Sequence, residues 1–345
     1  MQAGVPQAKK GTPMKRRMKF RVIFLFALIF VFCLLAEIGL RVKFYFLQAS
    51  TFETEYAGMF KVVENSGVNY VLKPHYEKKG YRINSQGLRS REFDKLKQTD
   101  IKRILVLGDS VVFGMGVYDQ EKLFTTKLEE SLNKRAVSDT RYEVLNAGIP
   151  AYNSTQELDF FREYGMEWQP DLVILGVCLN DWSNPARIGS IGVITGDESG
   201  SDWTLKEFIR KSFLVDFLVV LSKDILFAVF GYEFNSLDSI VHRSGWKTLE
   251  TSILEMNKLA REKDIGFFVV IFPERRQLAH TDRHHAPQEK LRALFDQNKI
   301  AFTDLYEHFS SLDRRELFVG YGVHLSELGH EAAAEDIHRK LLPLL

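Results

Sequence analysis

The sequence predicts an α/β domain in which a parallel sheet is covered by helices on both faces. Two observations carry this. From residue 101 onward, short apolar runs of strand length alternate with segments of helical period, and strands separated by helices pair in parallel. The first run, Ile104–Leu107, is apolar at every position, as a strand buried on both faces must be.

Each element follows from its residues. Ile104–Leu107 is too short for a helix and stops at Gly108-Asp109-Ser110, where Gly and Asp favour a tight turn. Glu121–Lys134 has a helical pattern, and Glu143–Leu145 is the second strand. Ser154–Tyr164 is helical, with Ser154 or Thr155 as its cap. Asp171–Gly176, preceded by Pro170, is the third strand. Leu249–Lys263 is helical, and Gly266–Phe272, strongly β-prone and closed by Pro273, is the fourth strand. Pro287–Gln297 is helical, Ile300–Thr303 is the last strand, and Ser326–Leu342 is the final helix.

The 345 residues suffice for one large domain or two small ones. A net charge of +1 gives no argument for a nucleic-acid partner. The two cysteines are Cys33 and Cys178. The first falls in a segment expected to sit in a membrane, which leaves the folded domain one thiol and no internal disulfide.

Residues 1–21 carry Lys9, Lys10, Lys15, Arg16, Arg17, Lys19 and Arg21 and no acid. Residues 22–40 are then apolar apart from Glu37 and have about the length a bilayer requires. No small-x-small site closes this run, because Leu34 precedes Ala36 by two positions. An uncleaved anchor is therefore expected in place of a signal peptide. The positive-inside rule makes 1–21 a cytoplasmic tail and 22–40 a single transmembrane helix of the inner membrane. The remainder is then extracytoplasmic, in the periplasm. Residues 41–100 read as a stalk plus a strap, with a short strand and a turn in Tyr81–Arg89. Residues 101–345 form the main domain, interrupted by a helical insertion at 182–246 that is too long for an ordinary connection. Within it, Phe213–Phe230 is apolar except for Asp216, Lys223 and Asp224. It reads as a cap helix on the domain, or as an apolar face toward the bilayer or an acyl pocket.

All strands should end on one edge of the sheet, which is where open α/β sheets bind ligands. The first ends at Ser110, a candidate nucleophile or, on the structural alternative, a helix cap. The second ends at Gly148, where a glycine lets a backbone N–H approach a ligand closely. The third runs into Asn180, whose amide beside backbone N–H groups suits an oxyanion hole. His324 stands just before the last helix. Each has a structural explanation of its own, as a turn, a cap or a core histidine, and the four in this order outweigh it. Other loop chemistries are excluded. There is no Gly-Lys-Ser/Thr phosphate loop, and Gly114-Met115-Gly116 lacks the third glycine of a dinucleotide fingerprint. Val112 occupies the second-glycine position of a G-x-S-x-G elbow. His284-His285 lacks partners at ligand spacing, so no metal and no cofactor are expected. Glu274-Arg275-Arg276 reads as an exposed charged turn or, near the site edge, a contact for an anionic substrate.

Residues 101–345 resemble the SGNH (GDSL) hydrolase superfamily. GDS at 108–110 resembles its first block, Gly148 its second, G-x-x-x-N-D at 176–181 its third and VHLSELGH at 323–330 its last. The resemblance implies a flavodoxin-like three-layer α/β/α sandwich. It implies Ser110 as nucleophile, His324 as base, and an oxyanion hole from the Ser110 and Gly148 N–H groups and the Asn180 amide. The anchor and the YRINSQGLR strap resemble membrane-tethered bacterial members.

One departure stands out. The family's last block is usually Asp-x-x-His, and here Tyr321 holds the acid's position. An acid in that place fixes the histidine tautomer and stabilises the imidazolium. Three readings follow: a Ser110–His324 dyad, a displaced acid such as Asp313 or Glu316, or a domain that binds without catalysis. The expected function is a membrane-anchored, extracytoplasmic serine esterase acting on an acyl group, such as acetyl, on a carbohydrate or lipid. The alternatives are a non-catalytic glycan-binding domain and an O-acetyltransferase of envelope polysaccharide.

Overall fold

The computed structural model describes residues 58–135, 140–179, 181, 186–189, 192–195, 241, 244–279, 285–319 and 323–345, and nearer the amino terminus residues 21, 24, 25, 28 and 30–39. The chain divides into two compact units, Met1–Thr51 with Gly200–Phe234, and Phe52–Ser199 with Asn235–Leu345. In the first unit the described residues are helical, and Phe24, Leu25, Leu28, Phe30, Phe32 and Leu35 are exposed. Among the described residues no helix is long and apolar enough to cross a membrane.

The second unit opens with two small antiparallel pairs, β1 (Phe60–Val62) with β2 (Tyr70–Leu72) and β3 (Glu77–Lys78) with β4 (Tyr81–Arg82). It continues into a five-stranded, wholly parallel sheet. Its strands are β5 (Ile101–Gly108), β6 (Arg141–Gly148), β7 (Leu172–Val177), β10 (Gly266–Ile271) and β11 (Ala301–Asp304), side by side in the order β6-β5-β7-β10-β11. Numbered along the chain this is 2-1-3-4-5, the flavodoxin-like arrangement, whose switch point lies between the first and third strands. β8 (Ala186–Gly189) and β9 (Gly192–Thr195) form a separate antiparallel pair. Within the insertion, residues 186–189 and 192–195 are strand where the sequence reading has helix, and 244–246 begin the next helix. Residues 213–230 lie outside the described residues.

The longer helices between strands are Phe124–Arg135, Ser154–Glu163, Ser244–Glu262 and Ala286–Asn298, and Glu327–Leu341 follows the sheet. Two apolar clusters fill the interior. One gathers Leu105, Leu107, Val173, Leu175, Val269 and Ile271 with the helix residues Phe161, Ile253 and Phe295. The other gathers Ile104, Val106, Ile174, Phe268 and Val270 with Phe124, Leu128, Ala333 and Ile337. Alternate residues of each strand enter opposite clusters, so both faces of the sheet are buried, as period-two side-chain geometry requires.

Four details depart from the sequence reading. The first two strands are longer than their apolar cores, because Arg103 is also inside. Its Nε and Nη2 donate to Glu143 Oε2 on β6 at 3.0 and 2.8 Å, and Nη1 donates to the Trp168 carbonyl at 2.7 Å. A charge so partnered can be buried, which a flanking arginine in sequence does not announce. The second helix is capped by Asn153, whose side chain accepts from the Gln156 N–H at 3.0 Å; Asn caps as well as Ser. The helix before β10 begins five residues early, at Ser244. Finally, the strap is part of the core. Met59, Val68, Tyr70, Leu72, Tyr81, Ile83 and Leu88 are buried in the cluster that holds Leu105 and Phe161. The turn at 84–88 is closed by Asn84, whose Oδ1 accepts from the Gln86 and Leu88 N–H groups at 3.0 and 2.9 Å.

Candidate active site

The strand β5 delivers Ser110 to the carboxyl edge of the sheet at the switch point. Gly108 and Gly176 are required by close packing there. A Cβ on either would meet Val112 Cγ2, at 2.3 and 2.5 Å. Val112, which breaks the G-x-S-x-G pattern, is therefore the side chain that seats the turn on the sheet. Ser110 begins a four-residue helix, Ser110–Phe113, capped by Asp109, whose Oδ1 accepts from the Val111 N–H at 2.8 Å. Asp109 takes the capping role that the sequence left open for Ser110. The serine hydroxyl faces His324: Oγ lies 3.0 Å from His324 Nε2 and 3.4 Å from Asp109 Oδ2.

His324 is held by its own loop. Its carbonyl accepts from the Val319 N–H at 2.9 Å, and Phe318 and Leu325 form an antiparallel bridge. Ser326 then caps the last helix through the Gly329 N–H at 3.1 Å. Burial disfavours the imidazolium and lowers the His324 pKa, and the charge of Asp109 opposes that shift. Among the described residues no carboxylate pairs with His324. Asp313 caps the helix Arg314–Leu317 and pairs with the Arg315 guanidinium at 2.6 Å; these contacts hold its pKa at about 2 on the exposed surface. Glu316 is exposed, and its carbonyl accepts from Ser326 Oγ. Neither carboxylate pairs with His324 in this structure. Tyr321 and Asn180 lie outside the described residues.

Gly148 differs from its expected role. Its N–H donates to Asn146 Oδ1 at 3.0 Å, which occupies the group that the sequence reading assigns to the oxyanion. The reason for glycine is steric, since a Cβ would stand 2.2 Å from the Phe113 nitrogen. Gly148 thus lets β6 lie directly against the helix that begins at Ser110. The chain then turns at Ala151, which has a left-handed φ of 65°. That turn lies between two strand ends, as Ile149 N–H donates to the Gly108 carbonyl and Ser154 N–H to the Asp181 carbonyl, at 3.0 and 3.2 Å.

Three features escaped the sequence reading. Asn146 ties β6 to the Ser110 helix, donating from Nδ2 to the Val112 carbonyl at 2.8 Å. Its place two residues before Gly148 is the signal that could have found it. Arg89 of the strap reaches the same helix, with no local signal. Behind Ser110 lies a buried acidic group of Asp109, Asp181 and Glu157. Cys178 Sγ donates to Asp109 Oδ1 at 3.3 Å, and Asp181 Oδ2 accepts from the Cys178 N–H at 2.6 Å. Neither oxygen of Glu157 has a hydrogen-bond partner. Burial and then the charge of Asp109 push its pKa well up; burial, then Glu157, then Asp109 do the same to Asp181. Among the described residues no group of three or more His, Cys, Asp or Glu could hold a metal ion. His285 packs edge-on against the Tyr306 ring, 4.8 Å between centroids; His284 lies outside the described residues. Arg276 turns back onto Glu274 at 2.5 Å.

A flavodoxin-like sheet thus holds a serine and a histidine in hydrogen-bond contact at its switch point, an arrangement with the chemistry for nucleophilic attack. The chain belongs to the GDSL-like lipase/acylhydrolase family, whose model matches residues 106–332. It is similar to a G-D-S-L family protein from Desulfitobacterium hafniense described as a putative lipolytic protein, at 14% identity over 70% of this chain and 99% of that one, with a TM-score of 0.42. It is similar to a lipase/acylhydrolase from Enterococcus faecalis at 15% identity, over 71% and 97%, with a TM-score of 0.43. It is also similar to the acetyl xylan esterase AlAXEase at 15% identity, over 70% and 99%, with a TM-score of 0.41. No curated protein sequence matches the chain.

Proposed function

We propose that the protein is a serine ester hydrolase working through a Ser110–His324 dyad, acting on an acyl ester, such as acetyl, of a carbohydrate or lipid. The observation that carries this is the 3.0 Å contact between Ser110 Oγ and His324 Nε2. Neutral His324 takes the hydroxyl proton as Ser110 attacks the carbonyl, then returns it to the leaving alcohol; water deacylates the serine by the same route. The Ser110 N–H at the start of its helix and the Asn180 amide receive the oxyanion. The burial that lowers the His324 pKa keeps the imidazole unprotonated and ready as a base near neutral pH.

The basic tail and the apolar segment 22–40 support a further part of the proposal: a single-pass inner-membrane protein with its hydrolase domain in the periplasm. Protease added to spheroplasts then removes most of the protein and leaves a small anchored piece, whereas a shortened soluble form in the periplasm refutes the anchor.

Because no carboxylate among the described residues pairs with His324, a binding domain without turnover is the competing reading. Fluorophosphonate labelling and a series of p-nitrophenyl esters of rising acyl length decide between them. The dyad predicts labelling and turnover that Ser110→Ala abolishes, with a fall of about 10²–10³-fold in kcat for Asn180→Ala. No labelling and no turnover across the series refute the enzyme.

A further inference from the structure

We propose that Arg89, from the strap that precedes the hydrolase sheet, is a positioning residue for the nucleophile. The inference rests on the reading of Ser110 as the attacking group.

The helix that carries Ser110 is four residues long. So short a helix does not hold itself, because nucleation fixes several dihedral angles for each hydrogen bond gained. Its position is set from outside, and the strap supplies much of the support. Arg89 is fully buried. Its Nη1 donates to the carbonyls of Phe113 and Gly114 at 2.9 and 2.8 Å. Its Nη2 donates to the carbonyl of Val117 and, at 3.4 Å, to that of Tyr118. One guanidinium thereby gathers four carbonyls of the turn that leaves the nucleophile helix. These include the last residue of the helix and its left-handed cap, Gly114, at φ 84°. A helix leaves its final carbonyls without internal partners and carries partial negative charge there, so a fixed cation suits that end.

The guanidinium is itself held in place. Its central carbon lies 4.8 Å from the ring centroids of both Tyr81 and Phe113. Tyr81 comes from the strap and Phe113 from the nucleophile helix. The Tyr81 hydroxyl also accepts from the Gly116 N–H at 3.0 Å. The next strap residue, Ser90, accepts through Oγ from the Asn146 N–H at 2.6 Å, and Asn146 in turn holds the Val112 carbonyl. Strap residues thus reach the nucleophile turn by two routes, one direct and one through β6. A lysine could not reproduce the arrangement, because a single ammonium lacks the planar fork that spans several carbonyls.

The test uses the full chain, with kcat and KM on a p-nitrophenyl ester and active-site titration by a fluorophosphonate. Arg89→Lys is expected to lower kcat by about 10²-fold, the scale of a small misplacement of a reacting group. KM stays near the parent value, and every molecule still titrates. In Arg89→Ala, added ethylguanidinium is expected to recover part of the lost kcat. If removal of Arg89 prevents folding, Tyr81→Phe, which deletes only the hydroxyl, is expected to lower kcat by roughly tenfold with KM unchanged. A merely structural arginine gives a different result: fewer titratable sites, each with the parent kcat. That result, or full activity in Arg89→Lys and Tyr81→Phe, overturns the proposal. A parent protein that neither labels nor turns over overturns the esterase reading itself, and this inference with it.

Discussion

His324 Nε2 lies 3.0 Å from Ser110 Oγ across 214 positions of sequence, and the two meet only because strand β5 and the loop before the last helix end on the same edge of the sheet. The contact sets the pH behaviour of the site. Burial lowers the His324 pKa, and the base works only when neutral. The acid limb of a kcat/KM–pH profile is therefore expected to fall below the ordinary histidine value of about 6.5. Tyr321→Asp, which restores an acid at the family's spacing, is expected to raise kcat and to move that limb to higher pH, since a nearby carboxylate favours the imidazolium. A limb that stays in place removes the electrostatic argument. Asp313→Asn is expected to leave kcat unchanged, because Asp313 is spent on Arg315.

Gly148 makes a steric prediction. A Cβ there meets the Phe113 nitrogen at 2.2 Å, which is backbone and cannot swing aside. Gly148→Ala should cost about 1–3 kcal/mol or more of stability and displace the nucleophile helix. Thermal melts and titration of the serine report the two effects separately. A parent-like Tm with full labelling contradicts the packing argument.

The buried acid Glu157 predicts a pH-dependent stability. Its pKa is raised in the folded protein, so the native state keeps a proton that the unfolded chain releases. Stability therefore falls as pH climbs above the ordinary carboxyl range. Asp181, raised in the same way, keeps its own share of that slope. Glu157→Gln mimics the protonated form and removes the share of Glu157. Its Tm should exceed the parent's at pH 8, by about 2–4 °C for each kcal/mol recovered in a domain of this size, and converge with it toward pH 4. A gain of equal size at both pH values points to packing in place of protonation.

The pair Arg103–Glu143 predicts a stability loss without loss of site chemistry. Arg103 is fully buried and Glu143 nearly so. Glu143→Ala removes the charge partner of the buried guanidinium, which keeps only carbonyl acceptors, and should cost about 3–5 kcal/mol, read from urea unfolding. The folded fraction should keep the parent kcat, because the pair sits toward the amino ends of β5 and β6, away from Ser110.

The sheet was legible because its strands are apolar enough to announce burial on both faces. Ser110 and His324 were legible because each follows or precedes an element whose end could be read. What the sequence concealed are partnerships. Gly148 looks like a free N–H donor until Asn146 is seen to occupy it, and Asp313 looks available until Arg315 does the same. Arg103 resembles the solvated flank of a strand, since nothing local shows that Glu143 lies opposite. Arg89 ends the strap segment YRINSQGLR, and its carbonyl partners lie 24 to 29 positions away. Long-range satisfaction of a buried charge leaves no periodic trace.

The strand order also dictates a timetable. On the ribosome, the segment that becomes β5 emerges before either neighbour it lies between, β6 and β7, and the serine waits through the synthesis of every later strand. The helix Glu327–Leu341 then packs against Phe124–Arg135, with His330 Nδ1 accepting from the Phe124 N–H at 3.2 Å. That docking carries the loop of His324 toward Ser110. On the proposed mechanism, a nascent or partly degraded chain that lacks the docked helix carries a serine without its base, and the pair exists only once the last helix has docked.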